Sequence, residues 1–139
     1  MGLGIGINVK NSREAGELYR AAFGLELGYH MLNEDGSYFH SEWMKDGEEI
    51  LSVVEEKGGS AVFEGNYVQL GFCFQTRAEL EHAFHLLKEG GSVDMDICEL
   101  PWSPCGANVT DRFGIHWYLT LPQHRPVEDF TPLNYYERR

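Results

Sequence analysis

The chain has 139 residues, 42% of them hydrophobic and 13% aromatic, enough to fill the core of one ordinary domain and too apolar for disorder over most of its length. Eleven Lys and Arg stand against 22 Asp and Glu, a formal charge of −11, and a surface of that sign repels polyanions, so nucleic acid and anionic membrane are excluded as partners. Cys73, Cys98 and Cys105 lack the C-x-x-C spacing of zinc or redox sites and fit reduced thiols in a cytoplasmic protein, while no basic start, apolar signal run or spanning segment of about 20 residues points to export or a membrane.

Leu3, Ile5, Ile7 and Val9 alternate with Gly4, Gly6 and Asn8, the period-two pattern of a strand with one buried face. Gly2, Gly4 and Gly6 are not a dinucleotide fingerprint, because no strand precedes them and the alternation runs on through Val9. Asn11 and Glu14 resemble a capping box, and Ala15, Leu18, Tyr19, Ala22 and Phe23 recur at helical spacing until Gly24, predicting a helix over 12–23. Strands follow near 25–33, 37–44 and 49–55, with turns at Asp35-Gly36 and Asp46-Gly47. The first half therefore reads βαβββ. After Gly58-Gly59-Ser60 the order restarts with a strand from Tyr67 through Phe74. A capping box at Thr76 and Glu79 then opens a helix with Leu80, Ala83, Phe84 and Leu87 inward, stopped by Gly90-Gly91. Strands near 92–98, 106–110 and 114–120 complete a second βαβββ unit, giving one domain over 1–120 with modules at about 1–57 and 66–120. Helices laid on one face of mainly antiparallel strands define an α+β fold. Residues 121–139 carry Pro122, Pro126 and Pro132 without periodicity and form a C-terminal arm, in which Phe130, Leu133, Tyr135 and Tyr136 need something to pack on.

If a helix covers one face of each module, residues of the opposite strand parity must line the other. Those are Asn8 on the first strand, Tyr38, His40 and Glu42 on the third, and Ser52 on the fourth. The second module contributes Gln69, His116 and Tyr118. A polar inner set behind apolar walls is the pattern of a small-molecule pocket, with water or a partner subunit as the alternative covering of that face. His40 and Glu42, two apart on one strand face, are the candidate catalytic pair, as base and orienter. Trp102, set between Leu100-Pro101 and Ser103-Pro104, is a candidate for stacking on a ligand or for a lid packed on the core. His82 and His85 fall on the solvent side of the second helix, and His30 and His124 have no evident partners. No nucleophile elbow, P-loop or H-E-x-x-H pattern is present, so hydrolase and kinase chemistry has no support.

Gly90-Gly91-x-Val93, Trp102, Gly106 and Asp111-Arg112-Phe113-Gly114-Ile115-x-Trp117 resemble the second half of the PhnB-like branch of the glyoxalase/bleomycin resistance/dioxygenase group, the vicinal oxygen chelate superfamily. Leu18-Tyr19-x-x-x-Phe23-Gly24, His40-Ser41-Glu42, Asp46-Gly47 and Ile50-Leu51-Ser52 are similar to its first half, so the resemblance spans about 1–120 and omits the arm. It implies paired βαβββ modules and a homodimer. In the metalloenzymes of the group it implies four inward His or Glu ligands, whose places are here Gly4, Ser52, Gln69 and Tyr118. One amide and two hydroxyls do not hold a divalent metal at neutral pH. This departure favours the metal-free members of the group, with no metal and no cofactor, and a small-molecule ligand bound by the inner-face residues Asn8, His40, Glu42, Ser52, Gln69, His116 and Tyr118 and by Trp102. The alternative is a lyase, isomerase or other enzyme of the superfamily working through His40 and Glu42, or through a metal site formed elsewhere.

Overall fold

The computed structural model describes residues 2–58 and 68–124, and the chain divides into two compact units, 1–64 and 65–139. The first contains β1 (Gly6–Val9), α1 (Ser12–Phe23), β2 (Glu26–Leu32), β3 (Tyr38–Lys45) and β4 (Glu48–Glu55). The second repeats the order with β5 (Leu70–Cys73), α2 (Arg77–Lys88), β6 (Ser92–Leu100), β7 (Ser103–Thr110) and β8 (His116–Thr120). Each unit has its own four-stranded sheet, in the order β1-β4-β3-β2 or β5-β8-β7-β6. The sheets are mixed: β1 lies parallel to β4 and β5 to β8, while the remaining pairs are antiparallel. Tyr67 and the arm residues Phe130, Leu133, Tyr135 and Tyr136 lie outside the described residues. Among the described residues no helix is long and apolar enough to cross a membrane.

In the first unit α1 buries Ala15, Leu18, Tyr19, Ala22 and Phe23 against one face of its sheet, where Ile7, Val9, Trp43, Leu51 and Val53 are also buried. Each such aliphatic or aromatic side chain contributes about 1.5–3 kcal/mol by leaving water. Helix and sheet come unusually close at Gly16, where an added Cβ would collide with the Trp43 ring. The Trp43 indole N–H donates to Ser41 Oγ (2.9 Å), whose own hydroxyl donates to the Val53 carbonyl (2.6 Å), so the polar atoms beneath the helix are satisfied. Gly24, in the left-handed region at φ 68°, ends α1.

Two expectations are corrected here. Tyr38 does not share a face with His40 and Glu42: it is buried on the helix side, edge-on to Trp43 at 6.0 Å and beneath the Arg13 guanidinium. An irregularity in the β2–β3 pairing between Met31 and Leu32, which face His40 and Tyr38, breaks the strict alternation. Nor does Asn11 cap α1, since it adopts left-handed φ 62° and makes no side-chain cap bond. The first-turn N–H groups are met from across the sheet instead, where Glu55 at the end of β4 accepts from Asn11 N (3.1 Å) and Ser12 N (2.9 Å). Ser12 Oγ in turn accepts from Tyr38 N (2.9 Å).

The capping box of α2 is as expected, with Glu79 N donating to Thr76 Oγ1 and the Thr76 hydroxyl donating to the Glu79 carboxylate. Leu80, Ala83, Phe84 and Leu87 are buried, as are Cys105, Ala107, Val109, Trp117 and Leu119 of the sheet. Strands β6 and β7 run further than their apolar pattern suggests and meet in a tight turn at Pro101 and Trp102, so Ser103 and Pro104 belong to a strand rather than a loop.

The Glu55 carboxyl is subject first to burial, which raises its pKa, but the Ser12 N–H and hydroxyl and the Asn11 N–H outweigh this and hold it below the usual range. A folded-state pKa below the unfolded value of about 4.3 stabilises the fold above that pH, and the contribution fades as pH falls through the folded value. Glu55→Gln is expected to cost about 1 kcal/mol at pH 7, typical of a lost helix cap, as measured by urea unfolding. The two proteins should converge in stability toward pH 3; an unchanged difference there would contradict this role.

Candidate functional site: the open faces of the two sheets

On the first sheet, the side chains that alternate with the buried set point away from α1. Gly6 pairs with Ser52 and Ser52 with Glu42, forming one row across three strands, and one step along Asn8 pairs with Val54. Asn8 is exposed, and Ser52, Glu42 and His40 are half-buried. The His40 Nε2–H donates to Glu42 Oε2 at 2.8 Å, so the carboxylate fixes the ring tautomer and leaves Nδ1 as the proton acceptor. Tyr29 lies 6.1 Å from the His40 ring, centroid to centroid. A groove of about 360 Å³ at the start of the unit, lined by residues 2–6 and 49–52, takes in Gly6 and Ser52 of this row.

On the second sheet, Gln69 sits exposed just before β5, and His116 and Tyr118 lie half-buried on β8. The Trp102 indole N–H donates to Tyr118 Oη (2.9 Å), which ties the β6–β7 turn down onto the sheet. Thr110 Oγ1 lies 2.6 Å from Asp94 Oδ2 and 2.7 Å from His116 Nδ1. Its single proton goes to the carboxylate, so it accepts the Nδ1–H of His116. The structure thus joins His40 with Glu42 and Trp102 with Tyr118, and sets Ser52 beside Glu42.

Sequence reasoning missed Asn108. It lies on β7 opposite Tyr118 and opposite Met95 of β6, and its Oδ1 is the one buried side-chain polar atom among the described residues with no hydrogen-bond partner. Nothing in the sequence distinguishes it from any other strand asparagine, because the signal is an absence of partners in three dimensions.

The Asp111-Arg112-Phe113-Gly114-Ile115-x-Trp117 run is an internal brace. Asp111, 2% exposed, accepts from Phe113 N (2.9 Å) and Ile115 N (3.1 Å) with one oxygen and from the Trp117 indole N–H (2.9 Å) with the other. Gly114, at φ 87°, makes the turn between them.

No protein-family model matches the chain, and no curated protein matches it. Solved structures do. A PhnB protein from Bacillus cereus superposes with a TM-score of 0.76 at 19% identity, over 87% of this chain and 99% of that one. A glyoxylase/bleomycin resistance protein/dioxygenase domain from Frankia sp. gives 0.66 at 17% identity, over 88% and 98%. The fold is that of the vicinal oxygen chelate superfamily. A variant of the fosfomycin resistance protein FosX from Listeria monocytogenes, complexed with Mn(II) and 1S,2S-dihydroxypropylphosphonic acid, also has this fold, with a TM-score of 0.60 at 19% identity over 86% of this chain and 90% of that one.

The residues at the four ligand places do not fit a divalent metal. Gly4 has no donor side chain, and Ser52 Oγ leans on the Ile5 carbonyl at 3.5 Å. Tyr118 Oη is engaged by Trp102, and Gln69 offers a neutral amide. Among the described residues no three His, Cys, Asp or Glu side chains are grouped to hold an ion.

Asp111→Ala is expected to destabilise the fold by about 3 kcal/mol, because it strands a buried indole N–H together with two backbone donors. Arg112→Ala, at an exposed neighbour, should cost less than about 0.5 kcal/mol in the same denaturant titration.

Proposed function

We propose that this chain is a member of the glyoxalase/bleomycin resistance superfamily, PhnB-like in kind, that binds a small organic molecule without a metal. What supports the reading is the fold, together with the Gly, Ser, Gln and Tyr side chains at positions 4, 52, 69 and 118, where the resemblance puts the metal ligands of the superfamily's metalloenzymes. A fold that keeps a polar inner face while losing its metal donors retains the means to hold a ligand by hydrogen bonds and aromatic contact. Asn8, His40, Glu42, Ser52, Gln69, Trp102, His116 and Tyr118 are the binding residues of this proposal. A second reading, enzymatic, is favoured by one contact: the 2.8 Å bond between His40 and Glu42, which presents an oriented base.

Self-association belongs to the same proposal. Strand β2 is the edge of its sheet and exposes Leu27, Tyr29, Met31 and Leu32, with Phe39 exposed nearby on β3. An apolar edge of this kind is covered by pairing, and a second copy is the partner proposed here.

Purified without chelator, the protein is expected to carry far less than one equivalent of zinc, manganese, iron or nickel by elemental analysis. Stoichiometric metal would remove the basis of the metal-free reading. Sedimentation at micromolar concentration should show a dimer that Tyr29→Glu combined with Met31→Glu dissociates, whereas a monomeric wild type would refute self-association.

A further inference from the structure

We infer that Asn108 is the specificity-determining acceptor for a ligand bound on the second sheet, and that this ligand presents to it an N–H or O–H donor on a neutral or cationic planar group rather than an anionic one. This inference rests on the small-molecule reading above and narrows it to a chemical class.

Three observations carry it. The first is the orphaned oxygen. Asn108 Oδ1 is shut off from solvent and has no hydrogen-bond partner among the described residues, a destabilising state that is seldom kept in a fold without use. An acceptor left open in this way offers a place for a donor that arrives with the ligand.

The second is its surroundings. Asn108 lies on β7 in register with Tyr118 of β8, whose hydroxyl accepts from the Trp102 indole, so the strand next to Asn108 carries one member of an aromatic pair. Two residues along the same strand, Thr110 is bonded to the Asp94 carboxylate, which adds negative charge to the same face. Planar groups lie well against aromatic rings, and cationic ones gain further from a nearby carboxylate.

The third is what the sheets lack. Across the eight strands of the described residues only one residue is Lys or Arg: Lys45, whose ammonium donates to the Phe23 carbonyl at the end of α1. An anion bound on either open face would meet no strand-borne cation to balance it, in a chain of formal charge −11. A phosphonate such as the one bound to FosX is therefore a poor match for these faces.

The test uses three probes of the same size and shape: benzamide, benzamidine and benzoate. Each is titrated at millimolar concentrations into isotope-labelled full-length protein, with the tryptophan indole and asparagine side-chain amide signals followed by NMR. Benzamide and benzamidine are expected to bind at least about tenfold more tightly than benzoate, because only they bring a donor to Oδ1. Asn108→Leu should lose about tenfold in affinity for both, while the melting temperature of the ligand-free protein rises by a few degrees as the unpaired polar atom is removed. Benzoate binding as tightly as benzamide would overturn the inference, since the amide would then be offering its NH2 group, and the pocket itself would stand. Undiminished benzamide binding by Asn108→Leu, or a lowered melting temperature with binding intact, would overturn it equally. If no probe moves any signal from either open face, the small-molecule reading falls and this inference with it.

Discussion

Each sheet here has two faces and only one helix, and the rest of the molecule follows from that. Where α1 settles, Trp43, Leu51 and Val53 must be buried; where α2 settles, so must Val109, Trp117 and Leu119. Because strand side chains alternate, every buried residue commits its neighbours to the opposite face. Polar residues at those neighbouring positions, among them Ser52, Glu42 and Tyr118, are therefore held in place by the packing of residues that never meet a ligand. The near contact at Gly16, which lets the helix backbone rest on the Trp43 ring, sharpens this: helix and sheet are locked at short range, and the open face inherits their rigidity.

The most recognisable part of the sequence does a structural job. Asp111 gathers two backbone N–H groups and an indole N–H around one carboxylate, so the stretch from Asp111 to Trp117 is a knot that sets where β8 begins. Its consequence for the site is indirect. By fixing the start of β8 it fixes the height of His116 and Tyr118 on the sheet, and through Tyr118 the position of Trp102. A run of residues can thus be diagnostic of a fold while touching none of its chemistry.

What could be read from the sequence was whatever depends on periodicity or on local bonds. The βαβββ order in both halves, the buried faces of both helices and the Thr76 capping box rest on residues within a few positions of one another, and these are visible in one dimension. What could not be read depends on partners far along the chain or on a break in the period. Tyr38 turns to the helix side because the pairing with β2 is irregular between Met31 and Leu32, and nothing in the order Tyr-Phe-His-Ser announces a break. Asn11 has the right identity for a cap but the wrong backbone, its place being taken by a glutamate more than forty residues away. Asn108 was illegible for a third reason, since a missing hydrogen bond leaves no mark on composition or spacing.

The contrast between the two helix caps bears on how the molecule assembles. Thr76 and Glu79 close the start of α2 from within three residues, so that helix can begin as soon as its own turn forms. The start of α1 waits for Glu55, across a separation of 43 residues, and cannot be completed until β2, β3 and β4 have folded back beside it. Closing so long a loop is entropically expensive, which places those bonds late in folding. The cap of α2 is thus local, whereas that of α1 depends on contacts made across most of its unit. Weakening the Glu55 bonds would leave the folding rate of the first unit nearly untouched and show itself as faster unfolding.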